Sequence, residues 1–118
     1  MTSARHTGGG FCTGAGATRW TDAARLARRG DAIVVSLNYR LGPLGFASDG
    51  IDGGANGLRD VIEALKFVKE VLVEPLGGGS TMTVFGESSG AVAVCALSAS
   101  PAAAGLIDRA VVQSDPAR

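Results

Sequence analysis

One pentapeptide, Gly86-Glu87-Ser88-Ser89-Gly90, limits what this chain can fold into more than any other stretch. Before it, Met82-Thr83-Val84-Phe85 is short, apolar and rich in strand formers. After it, Ala91-Val92-Ala93-Val94-Cys95-Ala96-Leu97 is an apolar run that can be helical. A G-x-S-x-G match between a strand and a helix predicts a sharp turn that strains its central serine. Glycines at its ends leave room where side chains would strike the strand and the helix. Ser88 then projects its hydroxyl above the sheet edge, at the positive end of the following helix, and is the candidate nucleophile. Alone, the pentapeptide reads equally as a Gly/Ser turn between two buried elements. Its flanks and an upstream glycine run favour the nucleophile.

That run, His6-Thr7-Gly8-Gly9-Gly10-Phe11, supplies the complementary half of an acyl-transfer site. A tetrahedral intermediate carries negative charge on the former carbonyl oxygen, and preorganised backbone N–H donors stabilise it. Consecutive glycines let the main chain approach closely enough to aim two N–H groups at one atom. The expected oxyanion hole is Gly9, Gly10 and Ser89, the residue after the nucleophile. One such donor is typically worth a factor of about 10²–10³ in rate.

Further blocks continue the pattern: Gly30-Asp31 leading into Val34-Val35, Asn38-Tyr39-Arg40-Leu41-Gly42-Pro43-Leu44-Gly45-Phe46, Asn56-Gly57-Leu58-Arg59-Asp60, and Gln113-Ser114. Together with the glycine run and the serine turn, they resemble the type-B carboxylesterases, the cholinesterase-like members of the α/β-hydrolase fold. The resemblance runs from Thr7 onward. It implies an α/β fold in which residues 1–118 form a partial α/β-hydrolase domain, its sheet mostly parallel with helices on both faces. It further implies a structural ion pair between Arg40 and Asp60, bidentate and poorly solvated behind the sheet. The implied substrate is a small-molecule carboxylic ester.

In this fold the triad runs Ser, then Asp or Glu, then His. No histidine follows Ser88; the sole one, His6, precedes the oxyanion glycines and is expected to shape that loop. Asp108 and Asp115 stand too close behind the serine to match the family acid. The expectation is a catalytic fragment without its base, and a serine hydroxyl without a base is a poor nucleophile. Three origins fit: an ester hydrolase whose other triad members lie on sequence outside this chain, a non-catalytic cholinesterase-like interaction module, or an inactive gene remnant.

Composition narrows the partners. Eleven basic and eleven acidic residues cancel, so no electrostatic case exists for nucleic acid or an anionic membrane. Arg25, Arg28 and Arg29 suit the solvated face of a helix. No apolar run approaches the ~20 residues of a membrane span, and Met1-Thr2-Ser3-Ala4-Arg5 lacks a signal-peptide core, which leaves the cytoplasm as default location. No cofactor and no metal is expected; no Cys/His spacing suits zinc. Cys12 and Cys95 are expected to be free thiols, Cys95 small and buried in its helix. Gly77-Gly78-Gly79-Ser80-Thr81 lacks the lysine of a phosphate loop.

The coarse element pattern alternates. A helix is expected from Thr21 to Arg29, a buried strand from Ala32 to Asn38, and a loop from Gly42 to Ala55. Leu58, Val61, Ile62, Leu65, Val68 and Leu72 follow helical spacing, with Asn56 as N-cap and Pro75 as stop. Strands at Met82–Phe85 and Arg109–Gln113 flank a helix over Ser88–Ser98. The slot beside the nucleophile strand falls to Met1–His6, which is polar where a central parallel strand should be apolar. That segment fills its place poorly or leaves a hole, and the exposed edges invite self-association.

Overall fold

The computed structural model describes residues 2–6, 9–19, 22–48, 53–75 and 81–114, and of residues 2–6 the backbone alone. Four strands form one parallel sheet in the order β2-β1-β3-β4. They are β1 (Thr2–His6), β2 (Ile33–Ser36), β3 (Met82–Glu87) and β4 (Arg109–Gln113). The connections carry α1 (Ala24–Gly30), α2 (Gly42–Phe46), α3 (Asn56–Phe67) and α4 (Ser89–Ser98). α3 runs on as a π-helical segment, Val68–Val73.

β1 lies in the middle of the sheet. It pairs with β2 from Thr2↔Ile33 to Arg5↔Ser36 and with β3 from Thr2↔Met82 to His6↔Gly86. The slot is therefore filled, polar sequence notwithstanding: ladders on both sides satisfy its backbone, and pairing overrides composition. β4 is clamped to β3 at its start. The Asp108 N–H donates to the Met82 carbonyl at 3.0 Å, and the Met82 N–H donates to Asp108 Oδ2 at 2.6 Å.

The core lies on one face of this sheet. Val61, Ile62, Leu65 and Val68 from the α3 stripe meet Met82 and Val84 of β3 and Val94 and Leu97 of α4. On the other face α1 presents Leu26 over a groove of about 300 Å³, lined also by Thr83 and Phe85 of β3 and Val111 of β4.

Several expectations need correction. The strand expected over residues 32–38 is shorter, Ile33–Ser36, and only half-buried, because it is an edge of this sheet. The supposed loop after Gly42 begins with the short helix α2, which Pro43 opens by supplying a preset φ where no N–H is needed. Asn56 is the first residue of α3 and not its cap; no side chain caps that end. Cys95 is exposed, and neither cysteine is in a disulfide. α1 starts at Ala24, whose N–H donates to Asp22 Oδ1 at 2.9 Å. Thr21, the expected first residue of that helix, and the loop Gly77–Ser80 lie outside the described residues, as does Asp115.

Candidate active site

β3 turns into α4 at Ser88, whose φ of 55° and ψ of −123° fall in a region that non-glycine residues seldom occupy. Such a conformation costs on the order of 1–3 kcal/mol and persists only where its surroundings enforce it. Here they do. The Ser88 N–H donates to the Gln113 carbonyl of β4 at 3.0 Å, while the Ser88 carbonyl accepts from Ala91 and Val92 at 2.9 and 3.2 Å. A Cβ on Gly86 would stand 2.3 Å from the Gly90 carbonyl oxygen, so the strand can pass the helix only as glycine.

Ser88 is partly exposed at the N-terminus of a ten-residue helix, where the dipole favours negative charge. Ser89, the first residue of α4, contributes one of the N–H groups that a helix leaves without an internal acceptor. Its side chain is buried, and its hydroxyl has no hydrogen-bond partner among the described residues.

The His6↔Gly86 pairing brings the end of β1 beside the end of β3, so both chains leave the sheet at one edge. Gly9 and Gly10 follow β1 closely, with φ of 136° and 61°. The Gly9 carbonyl accepts from the N–H groups of Cys12 and Thr13, both at 3.1 Å, and from Thr13 Oγ1 at 3.3 Å. A Cβ on Gly9 would fall 2.1 Å from the Thr13 carbonyl oxygen. Gly8 and the His6 side chain lie outside the described residues.

Arg40 and Asp60 form a two-pronged pair. Nε donates to Oδ2 at 2.8 Å, Nη2 to Oδ1 at 2.7 Å, and the Arg40 backbone N–H also reaches Oδ2 at 3.0 Å. The side-chain hydrogen bonds from Arg40 hold the Asp60 carboxyl below the usual carboxylate range and Arg40 in turn is raised. The expectation of a poorly solvated pair fails: the side chains are 51% and 27% exposed. They meet between the β2–α2 connection and α3, open to water.

One tie was invisible in the sequence. The Gly42 N–H donates to the Phe11 carbonyl at 2.7 Å, and the Phe11 and Phe46 rings lie 4.6 Å apart. Two aromatic residues at the right blocks were the available signal, but their pairing depends on α2. Among the described residues no group of His, Cys, Asp and Glu could hold a metal, and no helix is long and apolar enough to cross a membrane.

A parallel sheet flanked by helices, with a strained serine between strand and helix at the carboxyl edge, defines an α/β-hydrolase fold. Residues 6–117 match the carboxylesterase family, and the chain belongs to it. Para-nitrobenzyl esterase of Bacillus subtilis (strain 168) is 42% identical across 94% of this chain and 24% of its own length. Carboxylesterase 3 of Homo sapiens is 46% identical across 91% of the chain and 19% of its own length. The solved structure of a thermophilic PNB esterase superposes with a TM-score of 0.87 at 42% identity, covering 96% of this chain and 25% of that one. The chain thus spans about a quarter or less of the relatives it matches.

Proposed function

We propose that this chain carries the nucleophile and oxyanion-stabilising half of a serine carboxylic-ester hydrolase. The supporting observation is Ser88, held in a strained turn at the head of α4. In this reading Ser88 Oγ attacks the ester carbonyl carbon while its proton passes to a base. The N–H groups of Gly9, Gly10 and Ser89 carry the charge of the tetrahedral oxyanion. Collapse of that intermediate expels the alcohol and leaves an acyl-serine, which water then hydrolyses. These 118 residues hold one histidine, His6, ahead of the glycine run. The base and its acid partner are therefore assigned to sequence matching the remaining length of the relatives.

A chimera tests this. Residues 6–117 replace the matching quarter of the Bacillus subtilis para-nitrobenzyl esterase, and hydrolysis of p-nitrophenyl acetate is followed. Ser88→Ala should lower turnover by about 10⁶-fold. An active chimera that keeps its rate through that change would take the nucleophile away from Ser88. The 118-residue chain alone should hydrolyse the same ester no faster than its Ser88→Ala form, because general-base help worth about 10²–10⁴ is missing.

We propose in addition that the isolated chain self-associates along β4. All five residues of that strand are exposed, and its outer edge has no strand partner among the described residues.

A further inference from the structure

We infer that the Arg40–Asp60 pair is a positioning device for the Gly9–Thr13 loop. Stability does not account for its geometry. An ion pair this open to water is screened and contributes little on its own. Yet Asp60 receives three N–H groups from a single residue, fixing both the main chain and the guanidinium of Arg40.

Asp60 is itself anchored, because the residues that follow it in α3, Val61, Ile62 and Leu65, sit in the core. Arg40 is therefore held to a rigid post. Two residues later the Gly42 N–H reaches the Phe11 carbonyl, and Phe46 at the end of α2 lays its ring against Phe11. Tyr39 meets the same Phe46 ring edge-on, at 6.4 Å between centroids.

Phe11 directly follows Gly10 and has a φ of 61°, a backbone state that a bulky residue holds only under constraint. The constraint comes from the hydrogen bond to Gly42 and the ring contact with Phe46. Both stand on the segment that Asp60 pins. Side chain, main chain and ring thus form a connected path from α3 to the glycine loop. What the loop does rests on the ester-hydrolase reading; where the loop sits does not.

Amide hydrogen exchange in the full chain tests the connection. Asp60→Asn should speed exchange at Gly42, Cys12 and Thr13 about tenfold, the scale set by losing a charge-assisted hydrogen bond. Val84 and Phe85 of the β3 ladder should keep their protection. Arg40→Lys, which retains the charge but loses the fork, should act as Asp60→Asn does. Acceleration at Gly42 alone, or equal acceleration along β3, overturns the positioning role. Should Asp60→Asn unfold the chain, Phe46→Leu probes the same path from the ring side. It should speed exchange at Cys12 and Thr13, and unchanged rates there would equally overturn the inference. Because exchange reports the loop itself, this outcome stands apart from the hydrolysis experiment on Ser88.

Discussion

The two faces of β3 are built from alternate residues of one strand, yet they are finished to different degrees. Met82 and Val84 are buried at 3% and 0% exposure beneath α3 and α4. Thr83 and Phe85 face α1, a seven-residue helix with no buried residue of its own, across an apolar groove. Helix length explains much of the difference. α3 and its π-helical continuation lay a long apolar stripe along the sheet, whereas α1 is two turns long. The fully packed face fixes β3 and α4, and hence Ser88.

Two truncations can break this comparison. Leu65→Ala removes a side chain with 0% exposure from the packed face and should cost about 2–5 kcal/mol in urea unfolding. Leu26→Ala, on the open face at 49% exposure, should change stability by no more than about 0.5 kcal/mol. Equal losses from the two would mean that α1 packs as firmly as α3, and the contrast between the faces would be wrong.

The same contrast separates what could be read from the sequence from what could not. Ser88 and its flanking elements were legible because three levels agree there: strand formers before, glycines at the turn, an apolar helix after. β4 runs from Arg109 to Gln113, the span its sequence suggests. β1 was not legible as a central strand, since Thr2-Ser3-Ala4-Arg5 is polar in sequence and takes its place through backbone ladders to β2 and β3. α2 was hidden by Gly42, Pro43 and Gly45, which read as turn residues; its packing through the Phe46 ring is tertiary. The solvation of Arg40 was misjudged for a related reason. A motif names the partners of an ion pair but not the depth at which they meet.

A buried polar atom sharpens the comparison at smaller scale. Thr83 is 6% exposed on the open face, and its Oγ1 has no hydrogen-bond partner among the described residues. Leaving such a group unsatisfied costs about 1–3 kcal/mol. Thr83→Val keeps the shape and the strand propensity while removing the hydroxyl. It should therefore raise stability, by about 1 kcal/mol in urea unfolding. A loss instead would show that the hydroxyl does find a partner, and that the groove is better ordered than its lining suggests.

The smallest expected effect on stability lies at β4, where both faces meet solvent. Val111 and Val112 project to opposite sides at 44% and 40% exposure, beside an edge whose outer backbone groups have no strand partner among the described residues. Such an edge is a template for another strand. A second copy suits it. Antiparallel pairing centred on Val111 sets Arg109 opposite Gln113 and Ala110 opposite Val112, so no like charges meet. Val111→Lys would place two ammonium groups face to face at the centre of that pairing. In a single chain the change exposes nothing new, and stability should shift by no more than about 0.5 kcal/mol. Sedimentation equilibrium should instead show weaker self-association for Val111→Lys than for the parent chain. Equal association of the two would move the contact away from β4, to the half-buried edge at β2.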